Sequence, residues 1–332
     1  METRKVQVTG GSTYTVSLPK EWATANDVSS GTNVEFHSEE DLLLLTPQSD
    51  EERTRGTLDI TDLTDENELT RAVMTMYVSG FDVISLETDQ MTAEQRRTIR
   101  DATQGLVGLE VIEEMPDNMV LQDLLDSSEL SIENAVTRMR LVALTMLEDA
   151  VEALVTDDDQ LADDVMERDD DVDRLWYMVS RVFRTVLRNP TAANEIGFAR
   201  ETCFDYQSSA RQLERIADHA TKIAELALEV GEIPDSAVEP LRRLHEEAAT
   251  VPDTAMNALL AEDSEEAVEL ASEARQHIGT VDEMVRNVDE EIHEYNPQVA
   301  QILGLVVDSL SRTADYGTNI AESALQKSAP RP

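Results

Sequence analysis

Two hydrophobic periods divide the chain. Before about residue 126 apolar positions alternate or come in short runs, as in strands, whereas from Glu129 onward they recur every three to four residues, as on amphipathic helices. Arg4 to Thr9 alternates, Gly10-Gly11 turns the chain, and Thr13 to Leu18 alternates again. Pro19 opens a short helix over KEWATANDV, because proline is tolerated in a first helical turn and not inside a helix. Gly31 ends it, and the strands NVEFH and DLLLLTP follow across a turn at Glu39-Glu40. The polar stretch Ser49 to Arg55 reads as a linker. Beyond it, LDI, a helix over Glu66 to Ser79, FDVISLE, a helix over Ala93 to Leu106 and LEVIEEM predict a small α/β segment over 56–126. Its parallel neighbours would be joined by right-handed crossovers. Gly80, Gly105 and Gly108 sit at its helix ends and form no phosphate-binding GxGxxG.

In the helical half, Ile132, Val136, Met139, Leu141, Leu144, Leu147 and Val151 mark a first helix, broken at Asp157-Asp158-Asp159. Val165, Val172, Trp176, Val179, Phe183 and Val186 mark a second, which ends at Asn189-Pro190. A third contains Ser208 to Glu229 and stops at Gly231 and Pro234. The pattern then repeats as Val238 to Leu260 with a break near Pro252, Glu265 to Tyr295 before Asn296-Pro297, and Val299 to Leu325. Glu214-Arg215-Ile216-Ala217-Asp218 aligns with Ser311-Arg312-Thr313-Ala314-Asp315, Ile223-Ala224-Glu225 with Ile320-Ala321-Glu322, and Asp173 with Asp282. The first copy carries extra residues around Thr191 to Arg200. The fold class is therefore mainly α. Two tandem three-helix bundles, over 129–232 and 235–328, follow a small β-rich domain over 1–49 and the α/β segment.

Charge changes the picture next. Lys and Arg number 27 against 69 Asp and Glu, a net charge of -42. That self-repulsion opposes a compact state unless salt screens it, and at molar salt the Debye length is only about 3 Å. With lysine confined to Lys5, Lys20, Lys222 and Lys327 and the acidic residues spread over every segment, the expectation is a halophilic protein of a salty cytoplasm. Cys203 is alone, which excludes an intrachain disulfide and a cysteine metal site. No long apolar run and no signal-peptide core appear, so a cytoplasmic protein without membrane insertion is expected.

The first fifty residues resemble the AbrB/SpoVT family of swapped-hairpin DNA-binding domains, through Ser17-Leu18-Pro19-Lys20-Glu21 and the Gly-x-x-Val-x-Phe strand at Gly31 to Phe36. The resemblance implies a homodimer whose basic positions face DNA. Arg4, Lys5 and Lys20, with Thr13 in the intervening hairpin, become the candidates for phosphate contact. A short segment so poor in apolar bulk also gains from a partner chain that completes its core.

The duplicated Glu-Arg-x-x-Asp-x-x-x-x-Ile-Ala-Glu pattern and its three-helix setting are similar to the PhoU family of phosphate-uptake regulators. That resemblance implies control of phosphate import and of phosphate-responsive genes, a phosphate transporter ATPase subunit as partner, and metal ions bound on the bundle by acidic motifs. Asp169 and Asp173 are spaced i,i+4 on the second helix, and Glu214 and Asp218 are so spaced on the third, so each pair stacks on one face. At about 100° per residue, Glu214 and Asp218 fall away from the Leu213, Ile216, Ala220, Ile223 stripe, and four carboxylates can meet along a surface groove. Such an all-oxygen set suits a hard divalent cation or iron.

Copy two departs from the pattern. Ser311 replaces Glu214 and Ile278 aligns with Asp169, leaving Asp282, Asp315 and Asn319 as a weaker second site. In a chain this acidic, i,i+4 carboxylates also arise as a solvated face. His219 follows Asp218 and is more simply a packed or solvated residue; His37, His245, His277 and His293 have no ligand spacing, and Trp176 and Phe183 sit at core positions. No nucleophile-base arrangement appears, so the chain reads as a regulator that acts by binding and not as an enzyme. Its alternatives are a transporter adaptor that uses the head only to dimerise, and a metal-dependent phosphatase.

Overall fold

The computed structural model describes residues 3–11, 13–39, 42–47, 53–125, 131–189, 192–193 and 196–330. The chain divides into two units, Met1–Arg53 and Thr54–Pro332. Residues 49–52 of the polar stretch read as a linker, and Glu40 of the expected turn, lie outside the described residues; Glu39 ends a strand, and Arg55 begins one.

In the first unit β1 (Gln7–Thr9) and β2 (Thr13–Thr15) form an antiparallel hairpin in which Gln7 faces Thr15. Gly10 and Gly11 turn it with φ of 65° and 84°, a left-handed pair that glycine adopts without strain. Both strands are shorter than the alternating sequence runs. Then come α1 (Lys20–Ala25), entered through Pro19, and the antiparallel pair β3 (Val34–Glu39) and β4 (Leu42–Pro47). Among the described residues of this unit none is buried, and Tyr14, Val8, Leu43 and Phe36 are 77%, 64%, 62% and 59% exposed.

The second unit opens with β5 (Arg55–Asp59), α2 (Glu66–Val78), β6 (Val83–Glu87), α3 (Ala93–Gln104), β7 (Leu109–Glu114) and β8 (Asn118–Asp123). Here the expected all-parallel arrangement is corrected. The sheet order is β5-β6-β8-β7, with β5 and β6 parallel and β8 antiparallel to both its neighbours. β7 turns back at once through Pro116-Asp117, where Met115 N–H donates to Asn118 O at 2.7 Å, and its return strand takes the place beside β6. Asp65 caps α2, and Thr92 with Gln95 forms a capping box on α3. Leu69, Val73 and Tyr77 of α2 and Ile99 of α3 pack on Ile84, Leu86, Met119 and Leu121 to make a core of their own.

The helical half comprises α4 (Ile132–Thr156), α5 (Asp159–Glu167), α6 (Asp169–Arg188), α7 (Arg200–Val230), α8 (Asp235–Leu260), α9 (Ser264–Ile292) and α10 (Pro297–Ser328). Ser131, Asp158, Asp263 and Asn296 cap α4, α5, α9 and α10 with their side chains. The second helix of copy one is in fact two. Asp157, at φ 55°, ends α4, and a further turn at Arg168 separates α5, which holds Val165, from α6. The break expected near Pro252 is absent, for α8 runs through both Pro240 and Pro252. Both copies share one core, in which α7 lies against α4 and α10, and α10 against α8 and α9. The closest approach is at Gly317, where an added Cβ would stand 2.5 Å from the backbone nitrogen of Pro252. Among the described residues no helix is long and apolar enough to cross a membrane.

Candidate metal centre

α6 begins with Asp169, Asp170 and Asp171, an acidic first turn that the positive end of the helix dipole favours. Asp169 and Asp173 stand one turn apart on this helix and face α7, which carries Glu214 and Asp218. The four carboxylates act on one another. Asp173 is pushed up to about 6, first by burial and then by the charges of Asp169 and Asp218. Glu214 is pushed up to about 7 by burial and by Asp218, against the pull of Arg211 and then Arg215. Asp169 is raised by burial and by Asp218, with the Thr221 hydroxyl opposing the shift.

Glu214 corrects one expectation. Its wheel position lies off the apolar stripe of its own helix, yet it is only 8% exposed. Its Oε1 accepts from the Arg211 guanidinium, which also stacks 5.3 Å over the ring of Trp176. Its Oε2 is buried without a hydrogen-bond partner. Asp218, by contrast, is exposed. Trp176 and Phe183 lie half-buried at the rim of the core rather than inside it. Tyr177 donates its hydroxyl to Asp173 Oδ2 at 3.4 Å, and burial with the Asp173 charge raises its phenol to about 12.

The donor chemistry fits a hard cation. Mutually repelling carboxylates, one with an orphaned buried oxygen, bear a cost that a divalent ion would remove. Among the described residues no three His, Cys, Asp or Glu side chains converge closely enough to hold an ion as they stand.

The weaker trio of copy two is dispersed. Asp282 on α9 is exposed, Asp315 lies 3.6 Å from Arg312, and Asn319 donates across to Gln212 Oε1 of α7 at 3.2 Å. His219 turns to the other copy. Its Nε2 lies 3.3 Å from the Tyr316 hydroxyl, and burial lowers its pKa. In the alignment of the two copies Tyr316 is the equivalent of His219, so α7 and α10 meet at their own echo. In the first unit, Arg4, Lys5, Thr13 and Lys20 are all exposed.

Sequence reasoning passed over Arg181. Only 5% exposed, it donates from Nε to Asp123 at 2.9 Å, from Nη1 to the carbonyls of Tyr77 and Phe81 at 2.8 and 2.9 Å, and from Nη2 to Asp82 at 3.0 Å. Its guanidinium also lies 4.9 Å from the Tyr77 ring centroid. One side chain of α6 thus ties the α/β segment to the helical half. The available signal was an arginine set among Val179, Val182 and Val186, where a core helix has little room for an unpaired charge.

Two family models match the chain, one within the first helical copy and one in the head. The model of the PhoU domain matches residues 136–227, and that of the antidote-toxin recognition protein MazE, a bacterial antitoxin, matches residues 7–53. The phosphate-specific transport system accessory protein PhoU homolog of Pseudomonas aeruginosa is 29% identical over 184 residues, covering 52% of this chain and 72% of its own length. PhoU homolog 1 of Thermotoga maritima is 25% identical over 203 residues, covering 58% of this chain and 84% of its own. The crystal structure of PhoU from Pseudomonas aeruginosa superposes with a TM-score of 0.50 at 25% identity, over 58% of this chain and 93% of that one. The Streptococcus pneumoniae PhoU structure, at 18% identity and a TM-score of 0.50, shares the fold.

Proposed function

We propose, from the premise that this chain belongs to the PhoU family and carries a swapped-hairpin domain of the MazE/AbrB kind in front of its helices, that it is a phosphate-responsive regulator acting on DNA. Proteins of this family are regulatory accessories of phosphate transport and not enzymes, and regulation of phosphate uptake is the role of the helical half. The observation that carries the finer reading is the union in one chain of that half with a head whose basic residues Arg4, Lys5 and Lys20 are exposed. Together with Thr13 they would contact DNA phosphates. Two copies of the head would bury Val8, Tyr14, Phe36 and Leu43 against each other, so the working state is a homodimer. The net charge of -42 suits a salt-rich cytoplasm, where phosphate contacts are weakened and a dimer doubles them.

Asp169, Asp173, Glu214 and Asp218 would hold a divalent or iron cation. Bound there, the ion supplies positive charge that an anion such as phosphate can approach. The chain's own residues hold and orient it: Arg211 fixes Glu214, and Tyr177 orients Asp173. The helical half would engage the transporter's ATPase subunit.

Chromatin immunoprecipitation with and without phosphate tests the DNA reading, paired with a mobility-shift series in concentrated salt on wild type and Lys20→Glu. Recovery of phosphate-gene promoters and loss of the shift in the variant are expected. If neither occurs, the head serves only to dimerise and the chain is a transporter adaptor.

A further inference from the structure

We propose that a second copy of the chain extends the sheet of the α/β segment, its β5 pairing antiparallel with β5 about a two-fold axis at Thr57. The inference stands apart from the cation and DNA readings above. β5 lies at one end of the order β5-β6-β8-β7. The Thr54 carbonyl accepts from the amides of Asp82 and Val83, and the Ile60 amide donates to the Glu87 carbonyl, so the even positions of β5 address β6. By alternation Arg55, Thr57 and Asp59 turn their N–H and C=O groups out of the sheet, and among the described residues they make no further backbone bond. An open edge of this kind is a template for another strand.

The two edges of the sheet differ. β7 carries Glu110, Glu113 and Glu114 and a bulge between Val111 and Glu113, which together oppose the addition of a strand. β5 has no bulge, and its ends are opposite in charge. About an axis at Thr57, Arg55 faces Asp59 of the second copy and Thr57 faces its own counterpart, and every such pair is of the hydrogen-bonded kind because these residues present their backbone outward. Within its own sheet Asp59, steadied by the Thr61 amide at 2.9 Å, lies beside Glu87, whereas Arg55 lies beside Val83. The second copy thus brings a cation to each pair of acids. On the opposite face the half-buried Leu58 would meet Gly56 of the second copy. Gly56 has room for no side chain of its own, since an added Cβ would stand 2.6 Å from Met76 Cε and 2.9 Å from the Phe81 ring. Leu58 would therefore extend that apolar surface. β4 ends at Pro47 and β5 begins at Arg55, so chains joined at their heads would hold their β5 strands on linkers of about 25 Å. Residues 54–125 lie outside both matched domains, and the pairing gives them a role as a second self-recognising element.

The test uses the full chain at the lowest salt in which it stays folded, since screening hides the charges. Thr57→Cys sets two sulfurs across the axis at a Cα separation of about 5.5 Å, which a disulfide spans. Glu87→Cys, one strand further in on the same face, is the control, and the native Cys203 is buried. Air oxidation should give a covalent dimer with Thr57→Cys and none with Glu87→Cys. In the Thr57→Cys background Arg55→Asp should slow the cross-link by about tenfold, and Arg55→Asp with Asp59→Arg should restore it, because opposite charges face each other again. In the unsubstituted chain the amides of Thr57 and Asp59 should exchange slowly with solvent although they point out of their own sheet. Cross-linking at neither position or equally at both, a double reversal that does not rescue, or fast exchange of the two amides overturns the pairing. A chain that dimerises through its head alone gives that negative result, so failure here is separable from failure of the head reading.

Discussion

At equivalent positions α7 carries Glu214, Asp218, His219 and Ala220 where α10 carries Ser311, Asp315, Tyr316 and Gly317. Around them the two helices agree. Ala217 and Ala314, Ile223 and Ile320, and Ala224 and Ala321 are all fully buried in the shared core. The faces turned inward are kept because both copies must fill the same space; the face that α7 turns to α6 is different from the one that α10 turns to α9. In copy one that face holds coupled carboxylates with one orphaned oxygen. In copy two Asp282 and Asp315 are exposed and Asn319 is spent on a bond to Gln212. Duplication explains the scaffold, and the two copies diverge where the cation site is proposed.

The largest expected effect breaks the scaffold's symmetry. Copy one tolerates alanine at 220, but Gly317→Ala puts a Cβ against the backbone of Pro252, which cannot rotate away. Overpacking of this kind costs typically 1–3 kcal/mol, and the better helix propensity of alanine returns about 1. With the overpacking cost at the upper end of its range, denaturant unfolding should show a net loss of about 2 kcal/mol, whereas Ala220→Gly should lose only about 1 kcal/mol. Equal losses in both would mean that the approach at Pro252 relaxes freely.

Next comes charge. Asp173 at about 6 and Glu214 at about 7 are raised above their ordinary values, so the folded chain binds protons that the unfolded chain does not. Their cost is present above the folded pKa and is relieved as pH falls toward the ordinary carboxylate range. Between about pH 7 and pH 5 the metal-free protein should therefore gain stability from these groups. Glu214→Gln should remove about 2 kcal/mol of that cost at pH 8 and flatten the profile. A profile unchanged in the variant would show that Glu214 is already relieved by Arg211.

How much of this was legible depends on where the partners lie. The repeat and the i,i+4 pairs are spacings along the helices, and the sequence shows them directly. The burial of Glu214 is not such a property, because α6 covers a position that its own helix leaves outside. The insertion of β8 beside β6 is likewise a pairing between strands distant in the chain, and β8 itself goes unread, because the short run Met119-Val120-Leu121 in NMVLQD does not alternate. Arg181 was visible as a charge in an apolar stripe, but its acceptors come from the end of α2, the loop into β6 and the end of β8. In the head, Tyr14 and Phe36 are exposed apolar surface that the proposed second chain would cover.

The smallest effect probes whether copy two can be converted. Ser311→Glu restores the carboxylate, but Ile278 stands where Asp169 would be and Arg312 already lies near Asp315. Ser311 is half-buried with access to solvent, so the substitution should change stability by about 1 kcal/mol and add no bound cation. A second equivalent of metal in this variant would show that one carboxylate alone separated the copies.

The central proposal is that the duplicated helices hold one cation, in copy one. Metal analysis of the purified chain, comparing wild type with Asp218→Ala and Asp315→Ala, tests it most directly. One equivalent per chain in wild type and in Asp315→Ala, lost in Asp218→Ala, is the result predicted. Equal metal content in all three would contradict it.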